Sequence, residues 1–454
     1  MILTAVIGIS LGSYIRLGRT SLTISNRALY NNAAMNLAEN GMEEAMYSIN
    51  RMVADPTYSW STDSWTAPVY SHPNDARRKW TGTNFDQNTT GEVRVYVYNY
   101  NGTGSPLIVA RSLVTLGGGA SAGNAVEKWV AVQLRRTSQF ANGLVAKQTI
   151  SFTGNSSVDS WNSDPDNLTA TAAIPYSAAV KRDNGSVGSI SVTVGSVAVQ
   201  NADIFGFAAT GGALPTVGSK GLVGPFGTAT GTMDMTRVST DFSANFDPVA
   251  QPTGGTVIAA ITSPGTLGSA GATNIYSTTN ISLSGGPGTD LVIKGNVTLY
   301  LTVAAGLEAI TLTGNGGINI DPGATLIVYT AGDIKIAGNG VLNGGSTTAT
   351  ANQPINFQLW GTSTHSTLKQ DIQIAGNGVL SCIAYAPNGS VKINGNGDVM
   401  GSVVASDITV VGNATFHYDE SLGNFGGSNP FRVTRWNEHT SAADRATYSG
   451  TMTW

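Results

Sequence analysis

The pattern of apolar and polar residues divides the chain into three regimes. From Met1 to Leu11 the sequence is almost wholly apolar, and no charge appears before Arg16. From Ala28 a second pattern takes over. Ala28, Leu29, Ala33, Leu37, Gly41, Met42, Ala45, Met46 and Ile49 recur at steps of three and four, the spacing of one face of an amphipathic helix. Asn31, Asn32, Asn36, Glu39, Glu43 and Glu44 fill the other positions, and Asp55-Pro56 ends the run because proline cannot continue a helix. An apolar half followed without a break by an amphipathic half predicts one helix of roughly 50 residues, far above the usual length.

Residues 56–90 read as irregular and aromatic, with Tyr58, Trp60, Trp65, Tyr70, Trp80 and Phe85. This cluster is expected to pack a loop on a sheet, with a sugar-binding platform as the alternative. The runs 93–98, 107–116 and 129–134 then alternate with period two between Asn-Gly and Gly-Gly-Gly turns, which predicts an antiparallel meander.

Beyond residue 140 a short unit recurs: two apolar residues around a polar one, a spacer, then Gly-Asn. It occurs at Gly154-Asn155, Gly295-Asn296, Gly314-Asn315, Gly338-Asn339, Gly376-Asn377, Gly395-Asn396 and Gly412-Asn413. In the second block the glycines are 19, 24, 38, 19 and 17 residues apart, so 38 is a double step. Strand-only repeats of this length predict a parallel β-helix, with inward Ile, Val and Leu in columns and Gly-Asn at left-handed corners. The expected fold is mainly β: a long N-terminal α-helix (1–55), a small antiparallel head (56–140), and a β-solenoid (141–424) with an insertion around 213–275. Residues 425–454 are expected to cap the solenoid or trail from it.

Composition narrows the function. The 454 residues include 56 Gly and only 11% charged residues, with a net charge of −4. That disfavours a nucleic-acid partner, which needs a basic face. One cysteine excludes an internal disulfide framework and a Cys-rich zinc site. Cys382, in LSCIAYA, reads as a core residue.

A helix of this kind, carrying AAMNLAENGMEEAMYSI, resembles the N-terminus of PilX-type minor pilins, within the type IV pilin-like proteins. The order VDSWNS, stacked Gly-Asn units and ATFHYDESL is similar to the β-solenoid domain that accompanies such N-termini. The resemblance implies an apolar helix half that sits in the inner membrane before assembly and later packs with other pilin subunits. It also implies a surface location, and a solenoid presented for adhesion or spacing to a glycan or protein ligand. The run to Ile15 is shorter than the ~20 residues a span takes, and its arginines follow it, unlike a signal peptide. It therefore reads as the lower part of a membrane helix whose start is missing, or else as a buried N-terminal helix. No prepilin cleavage site is legible before Met1.

Enzyme chemistry has thin support in the sequence. Asp333 and Asp371 precede equivalent strands 38 residues apart, as acids in a polysaccharide-active β-helix would. His417, Asp419 and Glu420 lie together but make too sparse a set for zinc, and a capping role is expected. Asp159, Asn162, Asp164 and Asp166 have oxygen ligands spaced for Ca²⁺, but the order and closing Glu of an EF-hand loop are missing. No cofactor is expected. The leading expectation is a non-enzymatic pilin-like component. The alternatives are a surface carbohydrate-active β-helix enzyme and a self-assembling β-helix scaffold resembling bactofilins.

Overall fold

The computed structural model describes every residue except 1, 56, 70–71, 101–104, 117–124, 137, 167–170, 286–289, 338–339, 345–352, 366, 377–378, 396–397 and 426–429. The chain forms two units. Residues 1–137 and 426–454 make the first, and residues 138–425 make the second.

In the first unit, helix α1 runs unbroken from Ile2 to Ala54, 53 residues or about 80 Å. Its second half buries Ala34, Leu37, Ala38, Met42, Ala45 and Ile49. This stripe lies on strands β2 (Thr89–Tyr98), β3 (Leu107–Leu116) and β4 (Ala125–Arg136), against Val93, Val95, Ile108, Ala110, Val130 and Val132. Gly41 permits the close approach: a Cβ there would lie 2.7 Å from a Val95 methyl and 2.8 Å from a Val93 methyl. The Ser112 hydroxyl donates to the Ala34 carbonyl at 2.6 Å, tying sheet to helix.

The sheet is antiparallel throughout. Strand β1 (Ala76–Asp86) pairs with β2, β2 with β3 and β3 with β4. Strand β1 falls inside the stretch expected to be irregular; its alternation is masked by the charged run Arg77-Arg78-Lys79. The aromatic cluster packs as a chain, with Trp60–Trp65 ring centroids 5.0 Å apart and Trp65–Trp80 5.8 Å.

The C-terminal segment corrects the expected domain order. Residues 431–438 do not cap the repeat unit; they form the fifth strand of the head sheet, antiparallel to β4, with Phe431 opposite Arg136. Asn50 fixes this strand to α1, donating to the Phe431 carbonyl and accepting from its N–H. A short helix α2 (Ala442–Ser449) follows. Met452 then packs with Tyr96, Val109 and Trp129 on the other sheet face. The alternation in FRVTRWNE specifies a strand, but a sequence does not say which sheet edge awaits it.

In the second unit every strand pair among the described residues is parallel, and the strands form one hydrogen-bonded network. Its registers align equivalent positions in columns. In one column Ile281 lies beside Ile310, followed by Ile334, Ile372, Val391, Ile408, Ile150 and Val197. A second runs Leu299, Val328, Leu359, Ala384, Val403, Leu144, Val187 and Ala208. All sixteen are buried. Each larger side chain stands for about 1.5–3 kcal/mol of burial.

Spatial order departs from chain order at one place. Strand β5 (Leu144–Thr153), the first of the unit, pairs with Asp398–Gly412, and β6 (Ser157–Trp161) pairs with Thr415–Asp419. The first and last strands therefore meet inside the stack. Residues 213–275 are only partly an excursion. Leu222 and Val223 continue the ladder beside Asp203 and Ile204, and Gly265–Thr278 pairs with Leu291–Leu301. Between them an extended strap crosses the stack. Phe242 donates its N–H to the Thr210 carbonyl, the Tyr385 hydroxyl donates to the Asp247 carbonyl, and Ile258 donates to Ser277.

Candidate functional site

Two features stand out, one in each unit. The first is the N-terminal half of α1. There Ile7, Ile9, Leu11, Ile15, Leu17, Leu22 and Ile24 are all more than half exposed, on a helix whose other half is a packed core element. So many large apolar side chains in contact with water mark an interaction surface. Among the described residues no helix is long and apolar enough to cross a membrane. Lower on the same unit, a cleft of about 230 Å³ between α1 and β1–β2 is lined by Leu37, Gly41, Glu44, Trp80 and Val93. Glu44 there is held by Arg78 at 3.1 Å.

The second feature is a polar cluster where β6 meets Thr415–Asp419. The register places His417 directly beside Asp159, although 258 residues separate them. Both are almost fully buried. His417 Nδ1 lies 2.5 Å from Asp159 Oδ1, and Nε2 faces Asp398 at 3.9 Å. The Tyr176 ring stacks on the imidazole with centroids 3.7 Å apart, and its hydroxyl donates to Asp159 Oδ2 at 3.1 Å. Lys181 reaches the same oxygen at 3.1 Å and lies against the rings of Phe205 and Phe226.

Burial opposes charge on the imidazole, but the bond to Asp159 and the charge of Asp398 outweigh it and raise the His417 pKa. The facing His417 imidazole lowers the Asp398 pKa in turn. Asp419 is fully buried and accepts from the Ser163 N–H, the Ser163 hydroxyl and the Ser421 N–H. Its desolvation nonetheless pushes its carboxyl pKa up. Glu420 accepts from Ser160 and Asn184 and pairs with Arg182 at 2.8 Å.

This arrangement disperses the four residues weighed as calcium ligands, Asp159, Asn162, Asp164 and Asp166. Asp159 is committed to His417, Tyr176 and Lys181. The Asn162 side chain accepts from the Asp164 N–H, and Asp166 accepts from Thr171. Among the described residues no three His, Cys, Asp or Glu side chains converge to hold a metal. Asp333 and Asp371 do become neighbours at adjacent strand starts, where the Asp371 N–H donates to Asp333 Oδ1 at 2.9 Å. The Gln373 amide donates to Asp371.

Of the turn glycines, Gly154, Gly295, Gly314, Gly395 and Gly412 have positive φ. Gly376 ends the strand Gln370–Gly376, Asn155 and Asn413 sit in bends, Asn296 lies within the strand Leu291–Leu301, and Asn315 donates its N–H to the Gly285 carbonyl. Gly338, Asn339, Asn377 and Asn396 lie outside the described residues. Cys382 is buried, and desolvation pushes its thiol up to about 12.

Sequence reading missed Asp159, Tyr176 and Asp398 as partners of His417, and Lys181 as a partner of Asp159. Tyr176 and Lys181 follow β6 whereas Asp398 and His417 lie near the end of the unit, and only the pairing of first with last strand brings them together.

A family described as a domain of unknown function, DUF7305, matches residues 268–425, wholly within the second unit. No curated protein matches the chain. Among solved structures, the competence-associated pilin ComZ from Thermus thermophilus is 13% identical over 90% of this chain and 97% of its own, with a TM-score of 0.28. A likeness of that size assigns neither fold nor function.

Proposed function

We propose that the chain is a non-enzymatic, pilin-like subunit of a type IV pilus or related surface filament. In this reading the upper half of α1 resides in the inner membrane before assembly and then packs among the helices of other subunits. Residues 138–425 act as a parallel β-solenoid displayed at the cell surface, for adhesion to a glycan or protein or for spacing. One observation supports the reading most. A single 53-residue helix spends its lower half as the core of an antiparallel sheet and leaves its upper half apolar and uncovered. Burying Ile7, Ile9, Leu11, Ile15 and Leu17 against partner helices stands for on the order of 10 kcal/mol of gross stabilisation, before the cost of association. The columns of Ile, Val and Leu in successive parallel strands support the solenoid reading.

The test places charge on the exposed half. The double change Leu11→Asp and Ile15→Asp disturbs no core contact. It is expected to cut recovery of the protein in sheared filaments at least about tenfold while the head stays folded. Unchanged recovery would refute the assembly role of the helix.

A further inference from the structure

The junction of first and last strands differs in chemistry from the rest of the ladder. Buried serines, threonines and amides occur elsewhere in the unit, but among its described residues the buried Asp and His side chains, Asp159, His417 and Asp419, gather here with Ser160 and Ser163. We propose that this junction is a pH-sensitive latch: the protonated His417 imidazole clamps Thr415–Asp419 to β6, and its deprotonation releases the junction locally.

The surroundings of His417 set the sign. The groups facing it are Asp159 on β6, Asp398 on the strand before its own, and Tyr176 from the segment between β6 and residue 185. Lys181 of that segment is linked through Asp159. Two carboxylates against one lysine leave a deficit of positive charge, which the imidazolium fills. Without its proton, His417 still donates one N–H to Asp159 Oδ1 but offers it no charge, so a carboxylate only 1% exposed is left with Lys181 for charge compensation beside the Tyr176 hydroxyl. An under-compensated buried charge is costly. The His417 pKa is raised in the closed junction. The clamp is therefore at full strength below the ordinary histidine value and is lost as pH rises through the raised one.

The same charge set shapes what opens. Lys181 and Arg182 hold the 174–184 segment to the junction, through Asp159 and Glu420 respectively. Arg182 is also paired with β6 through its backbone, its N–H donating to the Ser160 carbonyl and its carbonyl accepting from the Ser160 N–H, so the segment opens to protease only as the released β6 itself frays. Apolar columns on either side hold the rest of the unit, so the opening is local rather than global.

Limited trypsin digestion of the full chain tests this, read as cleavage after Lys181 or Arg182 relative to the exposed Lys220 in the same unit. Between about pH 6 and about pH 9 the ratio is expected to rise, by about tenfold for each pKa unit separating closed from open junction. In His417→Gln the ratio should be flat across that range. In Asp398→Asn, which removes a half-exposed carboxylate, the midpoint should move to lower pH. A flat wild-type ratio would overturn the proposal. So would a His417→Gln ratio that rises like wild type, or an unmoved midpoint in Asp398→Asn.

Discussion

Gly401 illustrates how little room the parallel ladder leaves. Its φ is +125°, and a Cβ built on it would lie 1.9 Å from the Cys382 carbonyl oxygen of the adjacent strand. Gly227 also has positive φ, +92°, but a Cβ there meets nothing within 4 Å. The comparison separates backbone strain from collision. Gly227→Ala is expected to cost about 1–2 kcal/mol, from the left-handed conformation alone. Gly401→Ala should cost more, at least about 3 kcal/mol, because two strands must also part. Urea denaturation of the two variants checks the order; equal losses would contradict it. At this scale the corner glycines are readable, because only a residue without a Cβ adopts these angles cheaply. The His417–Asp159 pair is not readable. Nothing local to HYDES or VDSWNS says that the two strands are neighbours, and alternation alone puts His417 and Asp419 on one face without a partner.

At the scale of elements, α1 is two surfaces on one rod. Its lower half meets β2 where Gly41 leaves no gap, whereas Gly12 on the upper half has nothing within 4 Å. Gly41→Leu should therefore overpack the helix–sheet contact and destabilise the first unit by about 1–3 kcal/mol. Gly12→Ala should leave it unchanged or slightly stabilised, by up to about 1 kcal/mol. Thermal unfolding followed by near-ultraviolet circular dichroism distinguishes the two. The helix and the strand runs at 93–98, 107–116 and 129–134 are legible because period 3.6 and period 2 are local properties of the chain. Strand β1 escapes because the charged run Arg77-Arg78-Lys79 masks its inner half and the mostly exposed stretch Thr81 to Asp86 carries no apolar alternation.

The whole molecule is nested rather than sequential. The head sheet is interrupted after β4 and completed by Phe431–Glu438, with the second unit inserted between two neighbouring strands. Reading the chain from end to end suggests four successive segments, because proximity in sequence is the only guide to which strands pair. The inserted unit also begins and ends inside its own stack, so its two chain ends emerge near each other; the Phe140 and Phe425 rings lie 5.7 Å apart. That placement is what an insertion requires. The strands at its outer ends are only two residues long, at Thr216–Val217, Thr232–Met233 and Val238–Ser239 on one side and Thr256–Val257 on the other. Such short edges template a second copy poorly, which weighs against a self-assembling scaffold.

The central claim is that the upper half of α1 is a subunit–subunit surface, and the single cysteine makes it directly testable. Cys382 is buried, with its thiol shifted to about 12, so it is silent toward thiol reagents and leaves a clean background. With Ile9→Cys in producing cells, thiol cross-linking should yield adducts with other filament subunits. Leu307→Cys, also more than half exposed but on the second unit, should yield none. The account is contradicted if Ile9→Cys gives no adduct, or if both positions give the same ones.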